Sequence, residues 1–267
     1  MSLFTDSNQK NIIELRQVSH SYDGGESFVL QNLNFLVEDK PAQGQFVVIL
    51  GPSGCGKSTV LRYVAGLQRP TSGQVLLNEQ PISPDNRVGM VFQQYSSLPW
   101  LTVLDNVSLA LAYQGVSEKE RQQKAMEMIT KVGLAGHENK FAQYPTLSGG
   151  QLQRVAIARS LMANQEILLM DEPFGALDIN TRLQMQDLLA DLWREIHPTV
   201  IFVTHDISEA VYLADDIYIM KKAPSCFVDH IPVDLPLHRK REMKRDQKFT
   251  DLVREVEDRM IAIDQQD

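Results

Sequence analysis

Two stretches of this 267-residue chain hold residue types whose spacing suits phosphate chemistry. Gly51-Pro52-Ser53-Gly54-Cys55-Gly56-Lys57-Ser58-Thr59 fits the pattern G-x-x-x-x-G-K-[ST]. ATP presents a dense polyanion. Glycines let backbone N–H groups turn inward around it, and a helix opening at the end of the loop adds a favourable dipole. On this reading residues 51 to 59 bind ATP. Lys57 reaches the β- and γ-phosphates, the Ser58 hydroxyl ligates Mg²⁺, and Thr59 supports the α-phosphate side. Cys55 reads as a small filler of the loop. An ordinary glycine-rich turn is the bland alternative. The apolar run before the loop and the helical pattern after it argue against that.

The second stretch is Ile167-Leu168-Leu169-Met170-Asp171-Glu172-Pro173, an apolar strand ending in two acids. Side chains alternate along a strand, so adjacent carboxylates face opposite ways and divide the labour. Asp171 is placed to hold Mg²⁺. Glu172 is placed to polarise a water attacking the γ-phosphate. Alone, an acid pair at a strand end is often a helix cap; beside a phosphate loop it gains meaning.

Something must position these groups. Ile12 to Tyr22 reads as a strand ended by the turn Asp23-Gly24-Gly25, and Phe28 to Val37 as a second strand with one slip suited to a bulge. Phe46 to Leu50 is a continuous apolar run, as in a buried parallel strand. A helix is expected from Lys57, with Val60, Leu61, Val64 and Leu67 on one face. Thr102-Val103-Leu104-Asp105 and Ser117-Glu118-Lys119-Glu120 resemble capped helix starts, with Gly133 as a stop. From Ile167 strands and helices alternate: strand 167–170, helix 180–196, strand 200–203, helix 206–214 and strand 217–220. This rhythm implies a parallel sheet with its phosphate chemistry at the carboxyl ends of the strands. In residues 221–267, Pro224, Pro232 and Pro236 interrupt the chain. The basic stretch His238 to Arg245 reads as a solvated linker. Phe249, Leu252, Val253, Val256 and Met260 predict a terminal amphipathic helix docked on the body.

Composition narrows the class. The chain is 43% hydrophobic and 22% charged, as in a globular protein, and no apolar run approaches the roughly 18 residues that span a bilayer. Met1 to Asp6 lacks the pattern of a secretory leader. Cys55 and Cys226 make no disulfide framework, which suits a reducing cytosol. The net charge of −8 speaks against broad nucleic-acid binding. The six histidines and two cysteines show no metal-ligand spacing.

A third motif narrows the reading further. Leu147-Ser148-Gly149-Gly150-Gln151, followed by Gln153-Arg154-Val155-Ala156-Ile157-Ala158-Arg159, resembles the signature of ABC ATPases. In that family the signature binds the γ-phosphate of the ATP held by the opposite subunit. Other elements of the family stand in the expected order. Tyr22 matches the aromatic residue that stacks on adenine. Gln93 matches the glutamine that senses Mg²⁺ and the attacking water. Asp178, in Gly175-Ala176-Leu177-Asp178, matches the acid of the loop between subunits. His205 matches the switch histidine at the γ-phosphate. Taken singly, these four residues would read as a strand tyrosine, a solvated glutamine, a helix cap and a structural histidine. The resemblance covers roughly residues 12–220. It implies an α/β fold: a RecA-like P-loop core, an antiparallel β-subdomain, and an inserted α-helical subdomain at about 94–160 that bears the signature. The expected organisation is an ATPase domain over 1–220 and a short tail over 221–267.

Within the family, Leu98-Pro99-Trp100-Leu101-Thr102-Val103-Leu104-Asp105-Asn106-Val107 resembles importers of nitrate, sulfonates, taurine and bicarbonate. Trp100 is either an apolar anchor for a permease helix or part of a helical core. The resemblance implies an ATPase at the cytoplasmic face of the plasma membrane, with a second ATPase subunit (a copy or a paralogue), integral membrane permease subunits and an extracytoplasmic solute-binding protein. No nucleic-acid partner is expected. The competing readings are a soluble ABC-type ATPase acting on nucleic acid or complex assembly, and a regulatory subunit that binds nucleotide without hydrolysing it.

Overall fold

The computed structural model describes residues 10–40, 43–83, 86, 88–94, 96–163 and 166–265. Met1 to Asp6, read above for a leader, lie outside the described residues.

Two sheets stand on one face-sharing core. The first is antiparallel, in the order β2-β1-β4-β5, from β1 (Asn11–His20), β2 (Leu30–Glu38), β4 (Ser72–Leu77) and β5 (Gln80–Pro81). The expected slip is present as register shifts where β1 pairs with β2. The second sheet has the order β10-β9-β3-β8-β7-β6. It contains β3 (Gln45–Leu50), β6 (Met90–Val91), β7 (Ile167–Asp171), β8 (Thr199–Thr204), β9 (Asp216–Met220) and β10 (Phe227–Pro232). Strands β9, β3, β8, β7 and β6 are parallel, and β10 is antiparallel to β9. Every residue of β3, β7 and β8 is buried, which explains their unbroken apolar runs: helices or sheet cover both faces.

The helices are α1 (Lys57–Val64), α2 (Val103–Tyr113), α3 (Glu118–Lys131), α4 (Gly149–Met162), α5 (Ile179–Ile196), α6 (Ile207–Leu213) and α7 (Gln247–Asp264). Thr102 and Ser117 cap α2 and α3 by accepting from Asp105 N and Glu120 N. Gly133, at φ 68°, follows the end of α3. Helices α2 to α4 form a helical layer whose core is continuous with one face of the parallel sheet. Phe46, Val48 and Leu50 of β3 belong to the same cluster as Val107, Ile129 and Val155. The opposite face of that sheet packs with α1 and the antiparallel sheet.

Three expectations need correction, and one pair of strands was not foreseen. Leu67 lies beyond the end of α1 and is exposed, because the helix stops at Val64 and Gly66 turns left-handed. Strands β4 and β5 carry exposed polar residues at one end and lack a clean alternation, so periodicity does not reveal them. The expected boundary at 220/221 falls between two paired strands, since β10 extends the parallel sheet at its edge. Its Pro232 sits at the strand's end, where a missing N–H is tolerated. The basic stretch is not a solvated linker. Arg239 is 6% exposed and donates to the carbonyls of Tyr212 and Ala214, and Arg241 donates to Asp187. Beyond it, α7 seats Phe249 and Val256 in the main core, with Leu252, Val253 and Met260 packed at its margin.

Candidate active site

Parallel strands bring their carboxyl ends to one edge, and the candidate residues sit there. Leu50 is in register with Thr204, Asp171 with Val203, and Val91 with Met170. The next residues along these strands are therefore neighbours: the loop from Gly51, Glu172 after β7, His205 after β8, and Gln93 just past β6.

The loop 51–56 wraps the N-terminus of α1. Gly54 and Gly56 adopt φ 80° and 94°, conformations open to glycine at little cost, and Gly56 caps the helix. Pro52 and Ser53 complete the turn, where the Pro52 carbonyl accepts from Cys55 N. Cys55 is 2% exposed, and burial pushes its thiol pKa up, so its side chain is the inert filler expected. Lys57 is 4% exposed, and its ammonium donates to the Gly51 and Pro52 carbonyls, both at 2.8 Å. An ammonium has three donors, so one remains for an anion cradled by the loop. Ser58 Oγ donates to Asp171 Oδ1 at 2.8 Å. Burial raises the Asp171 pKa, and the Ser58 hydrogen bond opposes that rise.

Glu172 is the hub. Its Oε2 lies 3.1 Å from His205 Nδ1 and 3.4 Å from Gln93 Nε2. The reason differs from strand alternation. Asp171 is the last residue of β7, and Glu172 turns left-handed at φ 42°, with its N–H donating to Val203 O at 3.0 Å. A non-glycine residue in that region is strained, and here the strain swings the carboxylate toward His205 and Gln93. His205 and Gln93 are both exposed at this edge.

Tyr22 stands beside the loop. It is 66% exposed, its hydroxyl is 3.5 Å from Thr59 Oγ1, and that hydrogen bond lowers its pKa. Sequence reading missed His20, which meets the Tyr22 ring edge-on with centroids 4.4 Å apart. It holds the base of Tyr22, yet a histidine inside a strand gives no local signal of that role.

The signature lies on another layer. Ser148 caps α4 and forms a reciprocal capping box with Gln151. Gly149 and Gly150 open the helix, and an N-terminus of this kind favours an anion. Leu147 is a correction: it is fully buried in the helical core, so its side chain anchors the motif and offers nothing to a ligand. Asp178 caps α5 through Thr181 N, and that bonding lowers its pKa.

The donors suit Mg²⁺ with a nucleotide. Ser58 and Asp171 offer two hard oxygens, the small protein share that Mg²⁺ takes when phosphates and water complete its shell. Among the described residues no group of three or more His, Cys, Asp or Glu could hold a metal by itself.

Comparison with known proteins agrees with this chemistry. The family model described as ABC transporter matches residues 30–175. The nitrate import ATP-binding protein NrtD of Synechocystis is 40% identical over 89% of this chain and 90% of its own length. The taurine import ATP-binding protein TauB of Yersinia pestis is 45% identical over 72% of this chain and 75% of its own. A dimeric ATP-binding cassette, MJ0796, solved with ADP and Pi, superposes with a TM-score of 0.71 at 34% identity. It covers 84% of this chain and 100% of that one. The chain belongs to the ABC transporter family of ATP-binding cassettes: it is an ATPase, with ATP and Mg²⁺ as its ligands.

Proposed function

We propose that this cassette is the energy-coupling subunit of an importer. It works as one half of a nucleotide-sandwich dimer and drives uptake of a small solute of the nitrate, sulfonate, taurine or bicarbonate class. In this reading Tyr22 stacks on adenine. The loop Gly51 to Thr59 holds the phosphates, with Lys57 on the β- and γ-groups. Ser58, Asp171 and Gln93 hold Mg²⁺, which supplies charge neutralisation at the phosphates. Glu172 takes a proton from the attacking water, and His205 and Gln93 position the reacting groups. The N-terminus of α4, from Ser148 through Gly149 and Gly150 to Gln151, faces the nucleotide of the partner subunit, and Asp178 lines the passage between them. ATP bound across both halves favours the closed dimer, because only that state completes the contacts. Hydrolysis removes the preference and the halves part.

The observation that carries the transport reading is Trp100. It is 67% exposed rather than part of the helical core. The loop that bears it is clamped: the buried Asn106 side chain accepts from Leu98 N and donates to the carbonyls of Leu98, Leu101 and Thr102. A large apolar ring on a rigid loop is the form of an interface anchor. It lies in the stretch that resembles importers, and the named relatives are nitrate and taurine import ATP-binding proteins. An integral membrane permease, met by this chain at the cytoplasmic face, is the partner in this reading, with a solute-binding protein outside. Among the described residues no helix is long and apolar enough to cross a membrane.

The test is purification of the tagged chain from detergent-solubilised native membranes, with partners identified by mass spectrometry. A multi-spanning permease is expected. Trp100→Ala should lose it through a deficit of about 2 kcal/mol or more while still hydrolysing ATP. Recovery of soluble partners alone, where a control transporter stays intact, overturns the importer reading in favour of assembly or nucleic-acid work. With the permease in hand, stimulation of hydrolysis by each candidate solute identifies the one transported.

A further inference from the structure

A chain of buried and half-buried polar groups runs from the segment after the sheet to the flanks of His205. Residues Arg241–Arg245 form a single 3-10 turn between β10 and α7. From it, Lys244 reaches inward. Its ammonium lies 4.2 Å from the centre of the Tyr212 ring and donates to Gln186 Oε1 at 2.6 Å. Gln186 Nε2 donates to Glu209 Oε1 at 2.9 Å. Gln186 and Glu209 are 3% and 4% exposed. A buried carboxylate is costly unless hydrogen-bonded and compensated. Arg182 on α5 directs its Nη1 to Asp206 Oδ2 at 3.7 Å, and its charge also favours the ionised Glu209. Lys244 adds its charge to this compensation and is linked to the carboxylate through the Gln186 amide. That amide has one workable orientation: oxygen to the ammonium, nitrogen to the carboxylate.

Glu209 in turn ties both neighbours of His205. Its backbone N–H donates to Asp206 Oδ1 at 2.9 Å; burial pushes its carboxyl pKa up, and the hydrogen bonds from the Thr204 hydroxyl and the Gln186 amide oppose that rise. The same hydroxyl accepts from Asp206 N at 3.0 Å. His205 itself is exposed, and its ring contacts Glu172. Its place is set by Thr204 and Asp206, hence by Glu209.

We propose that Lys244 is a positioning residue for His205, acting through Gln186 and Glu209, so that the segment beyond the catalytic strands sets the turnover rate. The proposal rests on the reading of His205 given above. Removing the ammonium leaves Gln186 free to flip and Glu209 less well compensated, and the flanks of His205 loosen. No group that touches nucleotide is altered, so binding is spared while the aligned state is lost.

The experiment uses the full chain with MgATP. Lys244→Met keeps the length and the packing on Tyr212 without the charge. Its kcat should fall about tenfold, since small misplacements at a reacting centre are costly, with the KM for ATP within about twofold of wild type. Lys244→Arg should restore at least about half of the rate, because guanidinium also donates to an amide oxygen. Adding Gln186→Leu to Lys244→Met should cost little more, as expected for members of one network. Thermal midpoints of the variants separate this loss from unfolding, and His205→Ala is measured alongside. Wild-type kcat in folded Lys244→Met, while His205→Ala is slow, overturns the proposal and leaves the His205 reading intact. A folded Lys244→Arg as slow as Lys244→Met marks a packing role and also overturns it. Full turnover by His205→Ala removes the His205 reading itself.

Discussion

At the scale of single residues, Glu172 and His20 show two limits of local reading. Acid type and adjacency to Asp171 point to Glu172. The left-handed backbone that aims it at His205 comes from its bond to Val203 on the neighbouring strand. His20 is buried beside Tyr22, with Nε2 3.0 Å from Gln68 Nε2 and Nδ1 without a partner. Desolvation lowers its pKa. The folded state therefore binds a proton less readily than the unfolded chain. The stability this histidine contributes is present above its unfolded pKa, about 6.5, and is lost as pH falls through and below that value. His20→Phe keeps the aromatic contact and removes the proton site. Thermal melts from pH 7.5 to about 5.5 should show wild type losing stability relative to the variant on the acid side. A gap that stays constant across that range would contradict the argument.

At the scale of elements, capping signals and continuous apolar runs translate directly into structure, because both are set by near neighbours in the chain. The starts of α2 and α3 and the strands β3, β7 and β8 are of this kind. Elements that depend on a distant partner are harder to see. Strand β10 exists because β9 offers it an edge, and the basic stretch is fixed because Tyr212, Ala214 and Asp187 supply acceptors. Helix α7 was legible from its spacing, and its anchoring is specific: Phe249 and Val256 enter the core, and Arg259 pairs with Asp229 of β10 at 2.9 Å. The ion pair is half-exposed and adds little, so burial carries the docking. Phe249→Ala should cost about 3 kcal/mol or more. Hydrogen exchange is expected to show lost protection across α7 with β3, β7 and β8 still protected. Equal loss everywhere would mean that α7 belongs to the same cooperative unit as the sheet.

At the scale of the molecule, the candidate residues of one cassette fall on two separate layers. The phosphate loop and Glu172 sit at the edge of the parallel sheet, whereas Ser148 opens α4 in the helical layer. If each ATP lies between Lys57 of one subunit and Ser148 of the other, Lys57→Ala and Ser148→Arg proteins should each be inactive alone. Mixed, they form some dimers with one intact site, and symmetry predicts recovery of about a quarter of wild-type activity. No recovery on mixing, with dimers confirmed by light scattering, would contradict the shared site. The sequence by itself determined the chemistry: a phosphate loop, two acids and a signature, each readable because its residues are contiguous and their types are dictated by the ligand. Tertiary structure alone decided how these pieces meet. Strand order and register set Gln93, Glu172 and His205 within reach of one another, burial turned Leu147 into an anchor, and the hydrogen bond from Lys244 to Gln186 tied the last segment to α5. Such contacts bridge tens of residues, and side-chain type along the chain carries no record of which distant group will lie beside it.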